Sequence, residues 1–186
     1  MIRRNAPPPS TAMQTVGPFF PASLAEPALA TLTRDGHAGE AIWLTGDIAD
    51  ENGPFRNAIL ELSQADAKGR VAGDRGADKH FAFWGRAASD GAGQFAFRTV
   101  LPGPSADPAG PRAPCFELLI LGSGIMRRLA TCFFPPGTTQ DPVLRCVPAA
   151  LRPRLLLRDA GKRGGLRRLH ATIRLHGADE TPFFRD

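Results

Sequence analysis

Tyrosine is absent from this chain of 186 residues, and cysteine and histidine are scarce. The three cysteines, Cys115, Cys132 and Cys146, form no CxxC pair and are odd in number. This argues against a disulfide scaffold and fits free thiols in a reducing compartment. The four histidines occur in neither an HxH nor an HExxH motif, so their spacing indicates no metal site. The sequence also lacks a P-loop and a GxGxxG motif.

Long apolar runs are absent as well, since no stretch approaches the roughly 18 apolar residues of a transmembrane helix. Arg3 and Arg4 are followed by no apolar segment, so we expect no secretory signal and a cytoplasmic location. The length, with 42% apolar and 22% charged residues, is typical of one globular domain. We expect residues 1–12, which contain three consecutive prolines, to be flexible and residues 13–186 to form the domain.

The net charge of +5 is concentrated in one segment. Residues 152–174 contain eight basic side chains and one acid, Asp159, whereas the rest of the chain carries a net charge of −2. Such a patch fits a solvated hairpin, a surface for an acidic neighbouring subunit or a nucleic-acid surface. No interleaved aromatic residue or known motif supports the last interpretation, and we expect no nucleic-acid partner.

Short alternating segments separated by turns dominate the chain, which has 20 glycines and 18 prolines. Strand-like patterns occur at residues 42–49, 57–65, 94–100, 116–124, 128–134 and 166–177. We therefore predict a mostly β protein, a two-sheet β-sandwich with Gly/Pro-rich loops and at most short helices.

Alternation in the last segment separates two faces of one strand. It places Leu169, Ala171, Ile173 and Leu175 inward and His170, Thr172, Arg174 and His176 outward. The two histidines would lie about 20 Å apart along the strand, so they cannot share a metal ion. We expect both of them to face solvent.

Local signals predict two turns and one helix. Residues 50–54 (DENGP) have turn chemistry, and residues 89–93 (SDGAG) indicate a hairpin-type turn. Asp141 is a suitable N-cap with Pro142 at the first helical position, and Pro148 should end that helix early.

Five strings in order along the chain carry a resemblance to a known family. They are QTVGPFF at residues 14–20, LTGDIADENGPFRNAILELSQADAKGR at 44–70, FAFWGRAASDGAGQFAFRTVLPG at 81–103, DPVL at 141–144 and LHGADETPFF at 175–184. With them the chain resembles the intradiol ring-cleaving dioxygenases from about Thr15 to Phe184. The resemblance implies a β-sandwich, in agreement with the strand pattern.

Members of that family that carry out the reaction hold a non-haem iron(III) through two tyrosines and two histidines. The resemblance places the two histidine positions at Cys115 and Glu117 and one tyrosine position at Ser105. The other tyrosine belongs in the loop at residues 73–80, which contains none. All four ligand positions are therefore changed, and the resemblance implies neither a metal nor a catalytic residue in this chain.

Loss of these ligands is similar to the iron-free alpha-type subunits of heteromeric family members. The resemblance implies that an iron-bearing beta subunit of the same family holds the iron(III) and that this chain completes the pocket wall. Such a complex cleaves 3,4-dihydroxybenzoate between its hydroxyl groups with O₂ to give 3-carboxy-cis,cis-muconate. This chain alone would be inactive.

The segment at residues 14–20 is implied to pack across the interface between subunits. Thr15, Gly17 and Pro18 would line the substrate pocket beside the partner's iron, and Phe19 and Phe20 would be covered by the sandwich and the partner. The alternative is that this segment caps the chain's own sandwich.

The resemblance also places a pocket arginine in the strand at residues 128–134, where Cys132 stands instead. Either another group meets the substrate's carboxylate or the ring substrate differs. Cys132 thereby leaves open a second interpretation, a non-catalytic β-sandwich that binds a small ligand or a protein partner. Cys115 and Glu117 share one strand face and could ligate another metal, but they lack a third ligand, and a structural Cys115 is the alternative.

Overall fold

Short β-strands account for most of the regular structure in the computed structural model, which describes residues 12, 14–17, 19–20, 24–107 and 110–184. The strands are β1 (Ala41–Asp50), β2 (Gly53–Pro54), β3 (Ile59–Ser63), β4 (Trp84–Ala88), β5 (Gln94–Val100), β6 (Ser105–Asp107), β7 (Gly110–Arg112), β8 (Phe116–Leu121), β9 (Leu129–Phe133), β10 (Arg158–Arg163) and β11 (Leu166–Arg174). One short α-helix, α1 (Pro142–Cys146), and two 3-10 turns at Pro27–Ala30 and Arg152–Leu155 complete the described elements.

Two main sheets and a small ribbon form the architecture. In the five-stranded sheet β10, β11, β1 and β2 are neighbours in that order, and β5 pairs with β1 as well. The β1–β11 pair is parallel, whereas the other pairs of this sheet are antiparallel. The four-stranded sheet has the order β4-β3-β8-β9, and β6 pairs with β7. The prediction of a mostly β sandwich with short helices is confirmed.

The inner faces of the two main sheets enclose the principal core. Alternate residues of β1, β5 and β11 meet alternate residues of β3 and β8, because successive side chains of a strand point to opposite faces. The fully buried members include Ile42, Leu44, Phe97, Leu169, Ile173, Leu60, Leu62, Phe116 and Ile120. Leu169, Ala171 and Ile173 are buried, as the alternation predicted.

A second buried cluster lies on the opposite side of β9. Cys132 and Phe134 pack there against Leu144 of α1, together with Val147 and Leu155. The helix begins as predicted, because the Asp141 side chain accepts a hydrogen bond from the Val143 amide at 2.8 Å. The helix is short, ending at Cys146 before Pro148.

The turn at residues 89–93 is not a hairpin turn, contrary to the sequence prediction. It connects β4 of the four-stranded sheet to β5 of the five-stranded sheet. Asp90 accepts hydrogen bonds from the Ala92 and Gln94 amides, so the local turn chemistry is present. Such chemistry reverses the chain but does not decide which strand the next segment pairs with. The predicted turn at residues 50–54 does join two paired strands, β1 and β2.

The basic segment forms the β10–β11 hairpin and the turn that leads into it. This agrees with the solvated-hairpin interpretation of residues 152–174, because β10 is exposed along nearly its whole length. None of the helices in the described part of the chain has the length and apolar character needed to span a membrane. Of residues 1–12, for which we predicted flexibility, all but residue 12 lie outside the described residues.

Candidate functional site

The outer face of the four-stranded sheet is the side of that sheet that points away from the principal core. Register places Ser63, Glu117 and Cys132 side by side on it, because Glu117 pairs with Ser63 on β3 and with Cys132 on β9. Trp84 continues this row on β4, where it pairs with Ser63. The ribbon of β6 and β7 and the helix α1 border this face, and together they enclose a cleft.

The cleft has two lobes, which share Ser63, Arg112 and Glu117. The Ser105 lobe encloses about 350 Å³, and Ser105, Cys115, Phe83 and Trp84 also line it. The Cys132 lobe encloses about 440 Å³, and Leu119, Ala130, Cys132, Val143, Cys146 and Phe184 are among its lining residues. The structure therefore brings Ser105, Cys115 and Glu117 together at one lobe.

Arg112 lines both lobes and contacts Cys115, Glu117 and Asp141. Its Nη2 group lies 3.6 Å from the Cys115 sulfur, and its Nη1 group lies 3.6 Å from the Glu117 carboxylate. Its Nε group donates to Asp141 at 3.0 Å. The guanidinium is largely buried, with 11% of the side chain exposed, so the Asp141 and Glu117 carboxylates offset the cost of removing its charge from water.

Asp141 holds the Arg112 guanidinium in its position lining both lobes. Its carboxylate is fully buried and accepts from Arg112, from the Ala113 amide at 2.9 Å and from the Val143 amide at 2.8 Å. The same side chain therefore caps α1 and holds the segment between β7 and β8. We expect Arg112 to be rigid, because a planar guanidinium bound through Nε has little freedom to rotate.

The two buried cysteines of the cleft, Cys115 and Cys132, are protonated thiols at neutral pH. Burial raises the pKa of Cys115 to about 12, although the nearby Arg112 charge works in the opposite direction. Burial also raises the pKa of Cys132 well above its usual value, and the neighbouring Cys115 adds to the effect. Neither thiol has the character of an activated nucleophile.

The lining of the Ser105 lobe does not fit the iron(III) site that the resemblance describes. Phenolate and imidazole donors are replaced by a hydroxyl, a protonated thiol and one carboxylate, and a guanidinium already lies beside two of these groups. A cation at this place would meet the Arg112 charge directly. Among the residues that the structure describes, no three His, Cys, Asp or Glu side chains are grouped so that they could hold a metal ion.

The N-terminal segment lies elsewhere, beyond the far end of β8. Thr15 accepts a hydrogen bond from the Gly124 amide at 2.7 Å through its hydroxyl, which also lies 3.4 Å from the Gly122 carbonyl. Gly17 is exposed, with open space around its α-carbon, and 85% of Phe19 is exposed. Pro18 lies outside the described residues.

The sequence prediction grouped Cys132 with Thr15, but this chain holds the two far apart. Cys132 pairs with Glu117 near the start of β8, whereas Thr15 binds the residues that follow its last residue. Gly122 follows Glu117 by five residue steps along the strand direction, a distance of about 17 Å. Cys132 is only 4% exposed, so it contributes the wall of its lobe and little polar surface.

Arg112 is the site residue that the sequence did not reveal. A glutamate within a strand indicates a cationic partner for Glu117, but the sequence spacing does not identify that partner. The partner is five residues away but lies beyond a bend that includes Pro114, and its own anchor, Asp141, is 29 residues distant in sequence. An unpaired glutamate near the start of a strand was the only signal, and it pointed to a cation without locating it.

Comparison with known proteins identifies the family. The family model described as Dioxygenase matches residues 16–134. The chain is 32% identical over 193 residues to the protocatechuate 3,4-dioxygenase alpha chain of Pseudomonas putida, covering 95% of this chain and 96% of that one. It is 33% identical over 162 residues to the protocatechuate 3,4-dioxygenase beta chain of Burkholderia cepacia, covering 79% and 69% of the two chains.

Solved structures agree on the fold. The 3-chlorocatechol 1,2-dioxygenase of Rhodococcus opacus 1CP superposes with a TM-score of 0.60 at 20% identity, covering 77% of this chain and 63% of that one. The dioxygenase domain of a carbohydrate-binding fusion from Streptomyces sp. SirexAA-E gives 0.58 at 21% identity, with 82% and 88% covered. The β-sandwich, the family match and the similarity along nearly the whole chain lead to one conclusion: this chain is a member of the intradiol ring-cleaving dioxygenase family.

Proposed function

We propose that this chain is the iron-free, alpha-type subunit of a cytoplasmic protocatechuate 3,4-dioxygenase-like complex. An iron-bearing beta-type chain holds the iron(III) and carries out the reaction, in which O₂ opens the ring of 3,4-dihydroxybenzoate between its hydroxyl groups. This chain shapes the pocket and maintains the assembly. The similarity to the alpha chain covers 95% of this chain, whereas the similarity to the beta chain covers 79% of it. This difference supports the assignment.

One observation carries the proposal: a guanidinium occupies the place where the family's metal would need anionic and neutral donors. Arg112 is anchored by the buried Asp141 and lies within 3.6 Å of both Glu117 and the Cys115 sulfur. The positive charge of this lobe is thus supplied by a side chain. A lobe stabilised in this way is suited to a structural role and has no need of a metal.

The N-terminal segment supports a role at an interface. Phe19 exposes 85% of its surface, an unusual state for a large apolar side chain in a finished assembly. Thr15 attaches the segment to the loop after β8 through the Gly124 amide, which leaves Gly17 open to a neighbouring chain. We infer that Thr15 and Gly17 face the partner's substrate pocket and that Phe19 becomes buried against the partner.

Substrate choice depends on what recognises the carboxylate of the ring. Cys132 cannot do so, because it is buried and its thiol is neutral at the pH of the reaction. Recognition therefore falls to a cation of the partner chain if 3,4-dihydroxybenzoate is the substrate. Catechols without a carboxylate are the alternative substrates, and they need no such cation.

The test is O₂ uptake by three samples: this chain, a beta-type chain of the same family, and the two co-expressed. We expect uptake with 3,4-dihydroxybenzoate only in the co-expressed complex, with the carboxymuconate as product. Parallel assays with catechol distinguish the two substrate classes. Turnover by this chain without a partner would contradict the proposal.

A second candidate function is a non-catalytic binding module, which the Cys132 lobe favours. This lobe of about 440 Å³ is lined mainly by apolar side chains, including Leu119, Val143 and Phe184, and all of its lining residues come from this chain. Failure of this chain to associate with any beta-type chain, together with binding of a small apolar ligand, would favour this function over the first.

A further inference from the structure

We propose that the outer face of the five-stranded sheet carries a binding site for a small molecule with two or more carboxylate or phosphate groups. The site is a hollow of about 480 Å³ over β5, β1, β11 and β10, which we call the cationic hollow. Its polar lining includes Arg158, Arg163, Arg168, His170, Thr45 and Asp90. The proposed dioxygenase role uses none of these residues.

Charge is the first argument for an anionic ligand. Three guanidinium groups line the hollow, whereas Asp90 is its single carboxylate among the described lining residues. That carboxylate already accepts two backbone hydrogen bonds at 2.8 Å, from Ala92 and Gln94, within its own turn. Concave surfaces lined by one sign of charge concentrate the field and attract ligands of the opposite sign.

Two of the arginines have donor groups free to bind. The exposed Arg158 side chain makes no hydrogen bond or ion pair with any residue that the structure describes. Arg163 places its guanidinium carbon 4.5 Å from the centre of the Trp43 ring, a cation–π contact, and its side chain makes no hydrogen bond or ion pair with any residue that the structure describes. A guanidinium whose N–H groups have no partner is well suited to bidentate contact with a carboxylate or phosphate.

A β-bulge brings these arginines to the same face. Arg158 pairs with His170 and Arg163 pairs with Leu166, but the register shifts between Asp159 and Lys162. Simple alternation from Arg158 would place Arg163 on the opposite face of the strand, and the extra residue reverses that parity. Gly161 adopts a φ of +77° in the bulge, which favours glycine.

The base of the hollow is preorganised. Arg168 donates from Nε and Nη2 to the Ala160 carbonyl, at 3.0 and 2.7 Å. His170 lies 2.7 Å from Asp47 through Nε2 and 3.2 Å from the Thr45 hydroxyl through Nδ1. Fixed groups lose less freedom on binding than mobile ones, so the hollow can bind without a large ordering cost.

Size and charge together indicate the ligand class. The hollow is too small for a folded partner to enter, and a single negative charge would engage only one of the separated guanidiniums. A compact molecule with two or more anionic groups can bridge Arg158 and Arg163 and reach Arg168. Citrate and inorganic pyrophosphate represent the carboxylate and phosphate forms of this chemistry.

The test is calorimetric titration of the full chain, in complex with its beta-type partner where that complex forms, at low ionic strength. We expect citrate or pyrophosphate to bind, with acetate much weaker, and the preferred probe to identify the ligand chemistry. In the double variant Arg158→Gln/Arg163→Gln the affinity should fall by about tenfold or more. Added salt should weaken binding by the native chain as well.

Arg56→Gln is the matched control, because Arg56 is an exposed arginine outside the hollow. It should leave the affinity unchanged, and all variants should melt at the native temperature. Equal affinities for the native chain and the double variant would overturn the proposal, as would no binding of either probe. Binding of single-stranded DNA without binding of either small anion would also overturn it, in favour of a nucleic-acid surface.

Discussion

Arginine side chains lie over the outer faces of both main sheets, but their burial and their partners differ. Over the four-stranded sheet, Arg112 of β7 is largely buried and contacts Asp141, Glu117 and Cys115. On the five-stranded sheet Arg158, Arg163 and Arg168 line an open hollow with one carboxylate, Asp90. A buried guanidinium requires internal partners, because its desolvation would otherwise cost several kcal/mol. An exposed cluster of guanidiniums can leave its donors free for a ligand.

The contrast separates structural from binding roles within one sandwich. In the cleft beside the four-stranded sheet, the Arg112 charge is paired with Asp141 and Glu117. The buried thiols of Cys115 and Cys132 stay protonated, so they are weak nucleophiles. The cationic hollow has N–H donors on Arg158 and Arg163 that are free to bind an anion. The following changes test each side of this comparison.

Thiol labelling should show the largest difference. Iodoacetamide at pH 8 should modify the exposed Cys146 at the rate of an ordinary surface thiol, and Cys115 about 100-fold or more slowly. Burial raises the pKa of Cys115 to about 12, so little thiolate is present until the pH approaches that value. Mass spectrometry of timed samples measures both rates. Equal rates at the two positions would show that Cys115 is accessible and that its thiol is activated.

Removal of the Arg112 anchor should have the largest effect on stability. Asp141→Ala leaves a largely buried guanidinium without its main partner and removes the cap of α1, so we expect a loss of about 3 kcal/mol. Urea denaturation measures the change. Asp141→Asn is the control for the cap, because it keeps an acceptor for Val143 but not the charge. A loss under about 1 kcal/mol in Asp141→Ala would contradict the role of the buried pair.

Asp47 on the opposite sheet should contribute less, and only above acidic pH. Burial works to raise the pKa of Asp47, but hydrogen bonds from Arg174 and His170 and their charges hold it below its usual value. A lowered pKa means that the carboxylate stabilises the fold above the unfolded pKa of about 3.9 and that this stability is lost as the pH falls through the folded pKa.

Asp47→Asn should therefore cost about 1 kcal/mol at pH 7, since the pair is partly exposed, and almost nothing near pH 2. Denaturation midpoints of both chains over this range measure the difference. A difference that stays constant from pH 7 to pH 2 would show that the loss arises from packing and not from the charge of Asp47.

Glu117→Gln should have the smallest effect of the series. Its carboxylate lies 3.6 Å from Arg112, but 54% of the side chain is exposed and Asp141 remains in place. We expect a change of about 0.5 kcal/mol or less. Measured beside Asp141→Ala, it tests whether burial decides the strength of the two contacts. A larger loss for Glu117→Gln than for Asp141→Ala would reverse that order.

Local patterns predicted the strands and the helix start, because these depend on neighbours in sequence. Residues 94–100 form β5 over the predicted range, and Asp141 caps α1 as its position before Pro142 indicated. The same patterns could not choose partners. The turn at residues 89–93 joins two sheets because β5 finds its place on β1, a long-range pairing that no turn sequence encodes.

The site was predictable in composition but not in contacts. Alternation placed His170 on the outer face, but the sequence gives no sign that Asp47, 123 residues away, would hold it and leave 15% of the side chain exposed. The prediction that His170 faces solvent is therefore only partly correct. The role of Arg112 was not predictable either, because Asp141 and Glu117 come into contact with it only in the folded chain. The pocket roles of Thr15, Gly17, Pro18 and Cys132 remain predictions.

Iron content measured on separated chains tests the central claim most directly. The co-expressed complex would be purified and its two chains resolved under conditions that retain bound metal, with iron measured in each. The account predicts iron in the beta-type chain and none above background in this chain, because Arg112 stands beside Cys115 and Glu117. Iron held by this chain at the level of its partner would contradict the account.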